Sequence, residues 1–132
     1  MKDVLILGAS SGIGLDLTNK LLNSGHRVFA TYCKNNIMIS HPNLVTSFYD
    51  IQNSNTFDFE LPEKLDGFVY CPGTINLKPF RGLKRDDFEF DFQVQALPLP
   101  ILSSSPHFSV FFEELFPFLG PLYLSLVSLF DF

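Results

Sequence analysis

An α/β fold in which helices wind over both faces of a parallel sheet is what this sequence predicts, and three observations carry the prediction. Short, unbroken apolar runs recur along the chain, a helix-period stretch separates the first two, and a glycine-rich turn joins the first run to that stretch. Strands of a parallel sheet read as continuous aliphatic runs because both of their faces are covered.

Val4-Leu5-Ile6-Leu7 is the first such strand, and it ends in Gly8-Ala9-Ser10-Ser11-Gly12-Ile13-Gly14. A helix follows: Ile13, Leu17, Leu21 and Leu22 fall on one face, with Asp16, Asn19 and Lys20 elsewhere. Asn23-Ser24-Gly25 closes it, Gly25 being suited to a left-handed C-cap. Arg27-Val28-Phe29-Ala30-Thr31-Tyr32 is a second strand, which completes a βαβ unit whose crossover is expected to be right-handed. Residues 44–49 form a third strand, ending at Asp50. The segment 34–43 before it is polar and contains Pro42, so the helix of that crossover is expected to be short or missing.

Residues 51–65 read as a loop with one helical turn at Pro62-Glu63-Lys64-Leu65. Asp66-Gly67-Phe68-Val69-Tyr70 is a fourth strand, broken by Cys71-Pro72-Gly73. Residues 86–97 form a candidate helix with Phe88, Phe92 and Gln95 on one face, and with Asp86 and Asp87 near its positive N-terminal end. The expected strand order is 3-2-1-4, with helices on both faces.

Composition divides the chain in two. All nine Lys and Arg lie at or before Arg85, against seven acids there, so residues 1–85 carry +2; residues 86–132 hold seven acids and no base, hence −7. No clustered basic face is evident, which argues against nucleic acid as a partner. Of residues 97–132, 27 are Leu, Phe, Ser or Pro. The chain therefore reads as a segment 1–96 and an atypical tail 97–132, whose composition is that of an out-of-frame translation. Exposed Phe and Leu in such a tail would favour association of copies into a homo-oligomer. Residues 92–112 and 115–130 are uncharged, yet the first stretch holds three prolines and the second is only sixteen residues long, against the roughly 20 of a membrane span.

Cys33 and Cys71 share no metal-ligand spacing with each other or with His26, His41 and His107, so no metal site is expected. The two cysteines follow strands that flank the first, about 9–10 Å apart, beyond disulfide reach. The N-terminus lacks the long apolar core of a signal peptide, which makes the cytoplasm the expected compartment.

The glycine turn carries the chemistry. A helix N-terminus offers unpaired N–H groups and a partial positive charge, and both stabilise a phosphate. Glycines let the backbone turn tightly and approach a pyrophosphate. Ser10 and Ser11 have two roles open to them, bonding phosphate oxygens or capping the helix.

Gly8-Ala9-Ser10-Ser11-Gly12-Ile13-Gly14, with its G-x-x-x-G-x-G spacing, resembles the signature of the short-chain dehydrogenases/reductases. Asp50-Ile51 after the third strand resembles the family's acidic-plus-aliphatic pair that contacts the adenine ring. Tyr70-Cys71-Pro72-Gly73 stands where the family has Asn-Asn-Ala-Gly and keeps its final glycine, and the helix containing Asp87 to Val94 is similar to the one that follows there.

The resemblance covers about residues 1–96. It implies a Rossmann-like doubly wound parallel sheet, incomplete at the C-terminus, and an NAD(P)-dependent oxidoreductase acting on a small carbonyl or alcohol. The implied cofactor-binding residues are Gly8, Ser10, Ser11, Gly12, Ile13, Gly14, Tyr32, Lys34, Asp50, Ile51, Cys71 and Gly73.

Thr31-Tyr32-Cys33-Lys34 offers no acid for the ribose hydroxyls and one lysine, which favours NADP over NAD; a solvated loop charge is the other role open to Lys34. The family's catalytic Tyr-x-x-x-Lys is absent. Four residues beyond Tyr32, Tyr49, Tyr70 and Tyr123 stand Asn36, Asn53, Thr74 and Val127, and Gln95 replaces the family's asparagine. No catalytic residue is assigned, and the chain is expected to be a truncated, inactive member. A non-catalytic nucleotide-binding module is the alternative.

Overall fold

A computed structural model describes residues 1–54, 57–73 and 78–96. Four parallel strands, β1 (Asp3–Leu7), β2 (Arg27–Tyr32), β3 (Leu44–Phe48) and β4 (Gly67–Tyr70), form one sheet in the order β3-β2-β1-β4. The expected 3-2-1-4 order and parallel sense are present. Central β1 pairs with β2 from Asp3↔Arg27 to Ile6↔Ala30, and with β4 from Val4↔Gly67 to Leu7↔Tyr70. Its residues Leu5, Ile6 and Leu7 are fully buried. An unbroken apolar run has this outcome when neighbours cover both faces of the strand.

Helix α1 (Gly12–Asn23) covers one face. Val4, Ile6, Ala9, Leu22, Val28 and Ala30 form the aliphatic cluster beneath it, flanked by Leu17 and Leu21. Gly25, at φ +78°, ends the helix in the left-handed conformation expected of it. Ile13 departs from expectation: it is 80% exposed, and the residues that α1 buries are Gly14, Thr18 and Leu22. The first turn of α1 stands at the carboxyl edge of the sheet, so Ile13 has no strand beneath it.

No helix forms in residues 34–43, as the polar composition and Pro42 foretell. Ile37 and Ile39 of that segment pack on the α1-side cluster instead.

The opposite face is covered differently. Leu5, Leu7, Phe29 and Leu65 are its buried cluster, and Phe57, Phe59 and Leu61 of the 57–65 segment pack on it as coil. The helical turn expected at Pro62-Glu63-Lys64-Leu65 is a bend, with Leu65 buried against the sheet.

A short 3₁₀ turn, Phe80–Gly82, leads to helix α2 (Arg85–Gln95). Its expected apolar face does not point inward: Phe88 and Phe92 are 59% and 57% exposed, whereas Val94 is buried. Asp87 and Asp91, half-buried, lie on the same side of the helix as Val94. The Asp87 carboxylate accepts the Lys84 N–H at 2.9 Å, capping the helix, and the Lys78 ammonium at 2.6 Å, which links its acidic face to the segment before it.

Residues 97–132, and with them the tail, lie outside the described residues. Among the described residues no helix is long and apolar enough to cross a membrane.

Candidate cofactor-binding site

In a parallel sheet every strand ends at the same edge, and here that edge is stitched together by backbone hydrogen bonds. Cys71 N–H donates to the Leu7 carbonyl at 2.9 Å, Ala9 N–H to Thr31 at 2.8 Å, and Tyr49 N–H to Tyr32 at 2.8 Å. The four segments singled out in the sequence therefore converge: the glycine turn after β1, Tyr32 to Lys34 after β2, Asp50 and Ile51 after β3, and Cys71 to Gly73 after β4.

The three glycines of the turn do three different things. Gly8 adopts φ +76°, and a Cβ there would lie 2.9 Å from the Pro72 nitrogen, so the turn presses on the segment after β4. Gly14 carries the closest approach of helix to loop, since a Cβ there would stand 2.3 Å from the Gly8 carbonyl oxygen. Gly12 adopts φ +54° and faces open space, with no atom within 4 Å of a Cβ placed on it. Close approach of a ligand to the backbone needs such an opening at the start of a helix. Gly73, after β4, is likewise open.

Ser11 occupies the N-cap position of α1 with extended backbone, but its hydroxyl makes no capping bond. The first N–H groups of α1 have no acceptor within the helix. The serine hydroxyl and these amides are thus available to an anion.

The other predicted residues vary in availability. Lys34 is exposed at the end of β2, without an ion pair among the described residues. Tyr32 is half-buried, edge-on to Phe48. The Asp50 carboxylate accepts the Gln52 N–H at 3.0 Å and the Asn53 side-chain amide at 2.8 Å, and the Asn53 and Gln52 bonds hold it below the usual carboxylate range. Both its oxygens serve a local turn, so an adenine amino group would share them. Ile51 and Cys71 are partly spent on the core, Ile51 on the aromatic face and Cys71 on the α1 face. Burial pushes the Cys71 thiol up.

Burial, with a smaller contribution from Tyr49, pushes the Tyr70 phenol up to about 12, and its hydroxyl donates to the Val94 carbonyl. The two described histidines, His26 and His41, precede β2 and β3 and so belong to the opposite edge of the sheet.

Sequence reasoning missed two residues. Thr31, 1% exposed, accepts the Gly8 N–H at 3.2 Å through its hydroxyl, and Pro72 walls the other side of Gly8. A threonine inside a strand and a proline after one carry no local signal of such contacts.

No family profile and no curated protein matches the chain. Solved structures do. A short-chain dehydrogenase from Leptospira borgpetersenii serovar Hardjo-bovis with bound NAD+ is similar over 86% of this chain and 46% of its own, with TM-score 0.65 and 20% identity. Serine dehydrogenase from Escherichia coli is similar over 85% and 56%, with TM-score 0.64 and 20% identity. A Burkholderia multivorans protein classed with the short-chain dehydrogenases/reductases, with bound NADP, is similar over 76% and 49%, with TM-score 0.55 and 19% identity. The chain thus has the fold of the short-chain dehydrogenases/reductases and spans about half the length of the structures it matches.

Proposed function

We propose that residues 1–96 are the cofactor-binding part of an NAD(P)-dependent oxidoreductase of the short-chain type, holding the adenosine-diphosphate end of the dinucleotide at the carboxyl edge of the sheet. The observation that carries this reading is the division of labour among the glycines: Gly8 and Gly14 are closed against backbone, whereas Gly12 is open at the helix N-terminus. The positive φ of Gly12 favours glycine by itself, and the open space around it leaves a ligand room to approach the helix amides. Ser10, Ser11 and the first amides of α1 would hold the pyrophosphate, with Ile13 exposed beside it. Asp50 and Ile51 would border the adenine, and Cys71 and Gly73 would close the β4 side. Lys34, next to Tyr32, favours NADP over NAD, because an ammonium there offsets a 2′-phosphate charge.

The bound cofactor supplies hydride chemistry toward a small carbonyl or alcohol in proteins of this kind. These 132 residues contain no Tyr-x-x-x-Lys to move the matching proton. General acid–base help is worth roughly 10²–10⁴-fold, so the chain is expected to bind without turnover. That absence also favours a second reading, a nucleotide-binding module without chemistry of its own.

Calorimetry on the full chain with NADP, 2′,5′-ADP and ADP tests the proposal, with Gly12→Val as the variant that places bulk in the opening. Binding by the wild type and a loss of at least about tenfold in the variant, 1.4 kcal/mol, is expected. Circular dichroism controls for the strain of a β-branched residue at positive φ. Equal binding by both proteins, or steady NADPH oxidation with any carbonyl compound, would overturn it.

A further inference from the structure

We infer that Thr31 is a positioning residue for the glycine turn, an inference that rests on the reading of that turn as nucleotide-binding. Regular pairing of β1 with β2 ends at Ile6↔Ala30. Beyond it the chain swings through Gly8 at φ +76°, and the next two amides turn back to Thr31. Gly8 N–H donates to the Thr31 hydroxyl at 3.2 Å, and Ala9 N–H to the Thr31 carbonyl at 2.8 Å. Thr31 is 1% exposed and Gly8 is half-buried.

On the other flank the Cys71–Pro72 peptide closes on Gly8, with the Pro72 nitrogen 2.9 Å and the Cys71 carbonyl carbon 3.1 Å from where a Cβ would sit. The first residue of the turn is thereby gripped between β2 and the end of β4. The Gly8 and Ala9 amides are committed to Thr31, and the amides that follow them in the turn are the ones left to meet a phosphate.

Only the side-chain half of this latch depends on the residue type. Thr31→Val keeps the branched shape and deletes the acceptor, leaving the half-buried Gly8 N–H without its side-chain partner. The turn then relaxes toward conformers in which Gly8 reaches another acceptor, and apparent affinity falls by the fraction of competent turn lost. Thr31→Ser keeps the acceptor. Because the turn serves the pyrophosphate, the loss falls equally on ADP and 2′,5′-ADP, whereas Lys34→Ala changes their ratio.

Two measurements on the full chain decide the matter: calorimetry with ADP and with 2′,5′-ADP, and amide hydrogen exchange at Gly8 by NMR. Thr31→Val is expected to weaken both ligands by about tenfold and to speed Gly8 exchange by a similar factor, with Thr31→Ser close to wild type in both. Gly8 protection retained in Thr31→Val overturns the latch, as does a loss in Thr31→Ser equal to that in Thr31→Val. A wild type that binds neither nucleotide overturns the functional reading, and exchange at Gly8 still decides the latch.

Discussion

The two faces of the sheet are built by different means. On one, α1 lays Leu17, Leu21 and Leu22 over small and aliphatic strand residues, and a glycine brings helix and loop backbones together. On the other, coil does the covering. Phe59 stands 5.5 Å from Phe29 and 5.3 Å from Phe57, and Phe57 stands 4.7 Å from Tyr49, ring centroid to ring centroid. The difference teaches where precision is needed. The α1 face sets the position of a backbone turn to within a Cβ; the aromatic face only keeps water from β1 and β2, which stacked rings on an irregular strap accomplish.

The sharpest way to break that contrast is Gly14→Ala. A methyl group 2.3 Å from the Gly8 carbonyl oxygen has backbone in its way, and backbone moves only with the whole helix. Destabilisation of about 3 kcal/mol or more is expected in urea unfolding, the upper end of overpacking effects, together with loss of nucleotide binding. A variant as stable as the wild type would show that α1 is free to slide.

Phe59→Ala probes the other face. It removes the ring that links Phe29 to Phe57, and a cost of about 2 kcal/mol is expected for a half-buried phenylalanine. Nucleotide affinity measured well below the melting temperature should not change. A matching loss of affinity would mean that the two faces are coupled through β1.

Tyr70→Phe is smaller and more local. It deletes the hydroxyl that donates to the Val94 carbonyl, the bond between β4 and the end of α2, and about 1 kcal/mol should be lost, with faster amide exchange confined to α2. Its pH signature has a definite sign. The folded chain raises the phenol from 10.0 to about 12, so it favours the neutral form. The resulting stability is complete below pH 10 and is lost as pH rises toward 12. Tyr49 is shifted in the same direction by burial, so Tyr70→Phe should reduce the alkaline loss without abolishing it.

The smallest effect is kinetic and compares the two strands beside β1. Cys33 is exposed and Cys71 half-buried, and both are free. A thiol reagent at pH 8 should modify Cys33 first and Cys71 slowly, because burial raises the Cys71 thiol. Two thiols should be counted in denaturant. Nucleotide that shields Cys71 but not Gly12-substituted chains would tie this order to the site.

Local pattern was enough for most of the fold. The runs at 4–7, 27–32, 44–49 and 66–70 specify strands within a residue of their ends; β1 and β2 are buried on both faces, whereas the edge strands β3 and β4 are only partly buried. Glycine spacing specified the turn and the helix start, because positive φ and close backbone approach are nearly a glycine monopoly. The proline and polar residues of 34–43 specified a crossover without a helix.

Only the tertiary structure decided which neighbour each residue meets. Ile13 has the helical spacing of a core residue but stands past the end of the strands. Phe88 and Phe92 have the periodicity of a buried face, yet they are exposed and it is Val94, on the side of Asp87 and Asp91, that is buried. Thr31 and Pro72 lie 23 and 64 residues beyond Gly8 in the chain, and they reach it because β2 and β4 both flank β1. Periodicity reports what an element can bury, whereas contacts across a sheet depend on strand order, which no local window contains.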